Sequence, residues 1–247
     1  MVLSLSFLLG IALGSFLNVV IDRVPLSQSL FRPRSRCQAC STQLAARDLI
    51  PILSYLWLRG HCRTCSAPIP LRILLVELAA GTALTASVAA YGITTTAAFI
   101  SLSSLALLTL AIIDIEHGIV PGAIVLPLTI LALAVAPFYP PLGLKSALIG
   151  AAIPFALFLA IAFLHSGGIG WGDVKLAPLL GLLTGFPGII VALLTSFILG
   201  GVAASVLLLL HKASRKTPIP FVPFLAAGTI VAIVWGDTIL DWYLSPF

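Results

Sequence analysis

Apolar residues dominate the chain in long runs separated by short polar breaks. Runs close to the ~20 residues a helix needs to cross a bilayer recur at 2–21, 73–91, 95–113, 120–138, 145–164, 174–186, 188–210 and 219–236. The sixth is short and shares an apolar tract with the seventh, broken only by Thr184-Gly185-Phe186-Pro187-Gly188. None of the runs alternates with the period of two seen in outer-membrane strands, so they predict helices. The expected fold is an all-α integral membrane protein of about eight transmembrane helices, with a polar loop between the first two. The first run has no basic residue ahead of it and no small-x-small cleavage site, so it reads as a retained helix rather than a secretory signal.

Composition agrees with the pattern. Of the 247 residues, 60% are hydrophobic and 9% charged, against about 25% charged in a soluble domain. The domain reading is a first transmembrane helix at 1–21, a cytoplasmic loop at 22–72 and a membrane domain at 73–247.

Lysine and arginine collect in cytoplasmic loops and set orientation. Arg23, Arg32, Arg34, Arg36, Arg47, Arg59, Arg63 and Arg72 lie between the first two spans. With that loop inside, Lys175, Lys212, Arg215 and Lys216 also fall inside, so Lys145 alone of the 13 basic residues falls outside. Both termini are then outside. The basic loop also suits contact with anionic lipid. No aromatic-studded basic face accompanies the charge, and no nucleic-acid partner is expected.

All four cysteines lie in that loop, as CQAC (Cys37, Cys40) and CRTC (Cys62, Cys65). Two CxxC pairs can converge four thiolates on one tetrahedral Zn²⁺, and a reducing cytosol disfavours disulfides. A redox pair is the competing reading, but redox chemistry does not require two matched pairs. Four cysteines leave no open position for substrate, so the zinc would be structural. A loop this small builds little core and gains from a metal staple.

Acids are scarce: six aspartates and two glutamates. Asp237 and Asp241 fall in an outer C-terminal tail, Asp22 and Asp48 among the arginines of the loop, Glu77 about one turn into the second span and Glu116 just past the third. Asp114, at the inner end of the third span, and Asp173, at the inner start of the sixth, fall at the same membrane face. Taken singly, each suits an interfacial acid or a helix cap, and Asp173 suits an N-cap. Acids near membrane depth more often line a watery cavity or pair with something. Two close carboxylates can share one proton, the ionised one drawing a proton from water and the protonated one supporting a peptide carbonyl. This is aspartic protease chemistry. The glycines of GGIGWGDVKL (167–176) allow another backbone to approach closely, so Gly170, Gly172 and nearby Lys175 are candidate supports for the acids.

GSFLNVVIDRVP (14–25), the paired CxxC motifs, IPILSYLWLRGHCRTC (50–65), AIIDIEHGIVP (111–121), GWGDVKL (170–176) and PIPFVPFL (218–225) together resemble the bacterial type IV prepilin peptidases, a family of GxGD aspartic peptidases. The resemblance runs in order along most of the chain. It implies an inner-membrane aspartic endopeptidase that removes a short basic leader from prepilins and pseudopilins at the cytoplasmic face, cutting after a glycine. It further implies N-methylation of the new N-terminal residue with S-adenosylmethionine, with no residues assigned to that cofactor. By motif, Asp114 and Asp173 are the catalytic pair and Cys37, Cys40, Cys62 and Cys65 the metal ligands. The chain departs from the family pattern at Val120-Pro121-Gly122, where LPD is frequent, at Asp48-Leu49-Ile50-Pro51, where DNIP is common, at Ile73, where a tyrosine is usual, and at Val222, which replaces a glycine.

Three rival readings remain at this point. One is a family member that has kept the peptidase and lost methylation. Another is a proton- or ion-coupled transporter using Asp114 and Asp173, which predicts acids near the midplane in repeated halves. The last is a membrane scaffold whose zinc loop docks a cytosolic partner.

Overall fold

A computed structural model describes residues 1–139, 142–164, 169–210 and 219–245. Its helices, in chain order, are α1 (Val2–Arg23), α2 (Leu53–Trp57), α3 (Leu71–Tyr91), α4 (Thr95–His117), α5 (Gly122–Val135), α6 (Leu144–Leu164), α7 (Trp171–Thr184), α8 (Gly188–Leu209) and α9 (Val222–Leu244). The chain divides into two compact units, Met1–Leu105 and Ala106–Phe247.

Among the described residues, six helices are long and apolar enough to span a membrane: α1, α3, α4, α6, α8 and α9. This corrects the expected eight. The runs at 120–138 and 174–186 fold as α5 and α7, of 14 residues each. At 1.5 Å per residue such a helix is about 21 Å long, short of a hydrocarbon core of about 30 Å. Their ends are set by local chemistry that hydropathy does not register. Pro121 precedes α5, whose C-terminus tightens into a 3-10 turn at Ala136–Phe138. Gly185, at φ +64°, stops α7, a left-handed conformation that glycine adopts at little cost. The Phe186 N–H then donates to the main-chain oxygen of Ser146 (3.1 Å), and its carbonyl accepts from the Ser146 hydroxyl (2.8 Å). α9 runs further than the apolar pattern suggests, so Asp237 and Asp241 stand on a helix rather than in a tail, and Glu116 lies within α4 rather than past it.

In the first unit, α1 and α3 form an antiparallel hairpin. The contacts Gly10–Gly81, Gly14–Glu77, Asn18–Ile73 and Asp22–Arg72 run in opposite senses along the two helices. A Cβ on Gly10 would lie 2.7 Å from the Cα of Gly81, and one on Gly14 2.8 Å from the Cα of Glu77. The small residues therefore let the two backbones touch, the usual route to tight helix pairs in lipid. The loop between these helices carries a 3-10 turn at Ala46–Leu49, α2, and two isolated β-bridges, Arg36 with Gln43 and His61 with Pro68.

In the second unit, α7 packs against α5, α6, α8 and α9, and Leu176, Ala177, Leu179 and Leu180 are fully buried. A Cβ on Gly150 of α6 would lie 2.7 Å from the carbonyl oxygen of Gly181, so α6 and α7 cross backbone to backbone. α8 and α9 meet at Gly228, where a side chain would strike Ser196 and Ala192. The short helix is thus the core around which the longer ones are arranged.

Candidate active site and cysteine cluster

Asp114 lies in the last turn of α4, which ends at Gly118 (φ +64°) with its N–H bonded to the Asp114 carbonyl at 2.9 Å. The chain then turns through Ile119 and Val120 before α5 begins. Val120 packs onto the start of α7: a Cβ on Gly172 would lie 2.7 Å from its Cγ2. Glycine at 172 is therefore a requirement of contact.

Gly170, in extended conformation, occupies the N-cap of α7 and offers no side chain to cap it. Asp173 stands three residues further on, in the first turn, which corrects the N-cap reading. Its N–H donates to the Gly170 carbonyl at 3.0 Å. Its Oδ2 lies 3.4 Å from where a Gly170 Cβ would stand, so the carboxylate leans over the bare glycine. A negative group is favoured there by the free N–H groups of the helix start.

Asp114 and Asp173 retain 7% and 9% of their accessible surface, and both line one cavity of about 300 Å³. Gly118, Ile119, Val120, Trp171 and the three expected supports, Gly170, Gly172 and Lys175, complete its wall. Lys175 is exposed, and among the described residues neither aspartate is ion-paired. The N–H of buried Val222 donates to Asp114 Oδ2 at 3.1 Å. That bond fixes one carboxylate oxygen. Because it comes from the main chain, the donor does not depend on which side chain stands at 222. Two acids on a small open cavity, with glycine backbone alongside, can activate a water and receive an extended peptide. Gly167, Gly168, Lys212, Arg215, Lys216 and Pro218 lie outside the described residues.

The four cysteines converge in the first unit. Their Sγ atoms lie within 4.8 Å of one another, and those of Cys37 and Cys65 are 3.8 Å apart. A tetrahedral ion with metal–sulfur bonds near 2.3 Å requires sulfurs about 3.8 Å apart, so the donor set fits such a metal. The thiols also compete with one another. Thr42, through its side chain and then its N–H, draws Cys40 down to about 6. Cys65 is pushed up to about 12: the Ala67 N–H favours its thiolate, but Cys40, desolvation and the other thiols outweigh it. A cation bound among the four sulfurs would relieve that competition.

The two cysteine turns are copies of one structure at an offset of 25 residues. The Cys37 N–H bonds to the Thr42 carbonyl (3.0 Å), as Cys62 does to Ala67 (2.8 Å), and Leu44 to Ser35 (2.9 Å), as Ile69 does to Gly60 (2.7 Å). Ser41 and Ser66 both adopt φ +56°. The signal was present in SRCQACSTQL and GHCRTCSAPI but is visible only once the bonds align it. Asp48 braces the second turn: Arg63 donates from Nε (2.9 Å) and Nη2 (2.7 Å) to its Oδ1. These bonds hold the Asp48 carboxyl below the usual carboxylate range. Asp22 pairs with Arg72.

Residues 8–91 match the family described as "Bacterial Peptidase A24 N-terminal domain", and residues 101–205 the "Type IV leader peptidase family". The chain is 36% identical to the prepilin leader peptidase/N-methyltransferase of Stutzerimonas stutzeri, over 97% of this chain and 93% of that protein. It is also 36% identical to the protein of that name from Aeromonas salmonicida (strain A449), over 98% and 94%. With that from Bacillus subtilis (strain 168) it shares 33% identity over 98% of each. No solved structure matches the chain.

Proposed function

The chain belongs to the bacterial prepilin leader peptidase/N-methyltransferase family, and from that membership we propose that it is an intramembrane aspartic endopeptidase that removes the basic leader of prepilins or pseudopilins after a glycine. The observation that carries the reading is the single cavity walled by Asp114, Asp173 and the glycines of the α7 start. In the proposed reaction the ionised aspartate takes a proton from a cavity water, whose oxygen attacks the scissile carbonyl carbon. The protonated aspartate donates to the carbonyl oxygen as it becomes tetrahedral. Collapse breaks the C–N bond, and a proton from the dyad goes to the leaving amine. Gly170 and Gly172 leave room for the peptide backbone, and Lys175 stands at the rim.

The eight arginines of the loop at 22–72 support an inner-membrane orientation with that loop, and the Asp114 end of α4 two spans later, at the cytoplasmic face. An even number of spans leaves both termini on the other side. The proposed division assigns 1–21 to a first anchor, 22–72 to the metal loop and 73–247 to the peptidase. Cys37, Cys40, Cys62 and Cys65 would hold a structural Zn²⁺, a role suited to a site with no open coordination position.

The relatives' names support a second activity, N-methylation of the amine that cleavage exposes. S-adenosylmethionine, when bound, supplies the methyl group; no residue of this chain is assigned to it. Incubating the reconstituted protein with a prepilin and weighing the product tests both steps. Loss of the leader mass supports the peptidase, and an added methyl group supports the transferase. Leader loss without the methyl group identifies the peptidase-only variant. An unprocessed substrate overturns the reading.

A further inference from the structure

The loop between α1 and α3 presents an apolar face that none of the chemistry above uses. Leu49, Ile50, Leu53, Leu56 and Trp57 are all exposed, Leu53 at 65% and Trp57 at 83%. The opposite side of α2 is turned inward. The Tyr55 hydroxyl donates to the Ile69 carbonyl at 3.4 Å, and its ring covers Gly60. The segment is therefore one-sided, with packed polar contacts on one face and bare side chains on the other.

Its depth is fixed by a buried acid. Glu77 of α3 accepts the N–H of Ile52, the residue before α2, at 2.7 Å. Ile52 is held at φ +61°, a conformation rare for a β-branched residue. Glu77 lies six residues into α3, about 9 Å along the axis, and helical side chains lean back toward the N-terminus. Ile52 consequently sits beside the first two turns of a membrane-length helix. The exposed Leu71 and Leu75 of those turns present the apolar surface expected of lipid contact. Two of the loop's eight arginines are committed to its own carboxylates, as Arg63–Asp48 and Arg72–Asp22. Arg23, Arg32, Arg34, Arg36, Arg47 and Arg59 leave the loop strongly positive.

We propose that this loop is a membrane-surface anchor: Leu53, Leu56 and Trp57 enter the acyl-chain boundary of the bilayer, and the flanking arginines bind anionic phospholipid headgroups. Apolar side chains at the depth of the first turns of α3 meet hydrocarbon rather than water, and tryptophan is favoured at that boundary. Arginines at the rim find the phosphates of a negatively charged leaflet. The partner is lipid, and the cysteine turns are held flat against the bilayer rather than free in solution.

The full-length protein in nanodiscs tests this. The emission difference between wild type and Trp57→Phe isolates Trp57. Lipids brominated in the acyl chains should quench that difference by more than half, while aqueous iodide leaves it nearly unchanged. Quenching by iodide and not by bromolipid would overturn the proposal. Quenching by neither would also overturn it, because Trp57 would then be covered by protein. For the headgroups, trypsin cleavage at Arg47 and Arg59 should slow about fivefold or more in nanodiscs containing phosphatidylglycerol relative to phosphatidylcholine alone. Equal rates would overturn the charge component. Neither readout depends on peptidase activity.

Discussion

The main-chain N–H of Val222, at the first position of α9, is bonded to Oδ2 of Asp114 at the end of α4. One oxygen of that carboxylate thus accepts a fixed donor while the side chain still lines the cavity. Asp114→Asn keeps an oxygen for the Val222 amide but cannot carry the negative charge. Leader cleavage should fall by about 10²- to 10⁴-fold, the usual weight of general acid–base catalysis, with yield and melting temperature unchanged. Asp173→Asn should behave alike. Single-turnover cleavage followed by mass spectrometry reads the loss, and a variant that cleaves at the wild-type rate would remove that residue from the dyad.

Gly172 and Val120 form a second testable pair. Gly172→Ala puts a methyl 2.7 Å from Val120 Cγ2, an overpacking of about 1–3 kcal/mol if nothing yields. The expected result is reduced cleavage, because the α7 start shifts away from the turn after Asp114. Combining it with Val120→Ala removes the Cγ2 contact, leaves only the Cβ of residue 120 at 3.0 Å, and should restore part of the rate. A double variant no better than the single would show that the clash is not the cause.

The crossing of α6 and α7 makes a stability prediction. Gly181→Ala drives a methyl into the backbone of Gly150 and Ala151, neither of which can rotate away. A clear fall in melting temperature is expected, larger than for Gly201→Ala, whose position has nothing within 4 Å. Thermal denaturation in detergent compares the two.

For the cysteines, elemental analysis should find one zinc per chain, lost in Cys37→Ser and in Cys62→Ser alike. Either variant should also expose residues 24–70 to proteolysis, because a loop with little core depends on its staple. Full zinc content in both variants would show that the metal is held elsewhere.

These positions were legible to different degrees. The cysteine cluster was readable because CxxC spacing is a local constraint on where sulfurs can point. Asp114 and Asp173 stood out because eight acids in 247 residues leave few to explain. The helix count was not readable, since hydropathy merges Val120, Pro121 and the 3-10 turn at Ala136–Phe138 with α5. Likewise it ends the last span before the aspartates that α9 carries on its surface. The Val222 donor and the Val120 contact escape sequence reasoning for another reason. One is a main-chain atom and the other a steric fit, and neither leaves a mark in residue type.

The shortness of α7 has a consequence for the water at its end. At about 21 Å it falls roughly 9 Å short of an average hydrocarbon slab, and the acid Asp173 sits at one of its ends. Because α5, α6, α8 and α9 pack around α7, the gap is met by a dimple of solvent above the helix, walled by protein. Trp171, 57% exposed at that end, is suited to the rim of the dimple. A substrate whose apolar segment stays in lipid can then present a peptide bond to water without being drawn out of the membrane. Hydrolysis inside a hydrophobic slab becomes a matter of how tall one helix is.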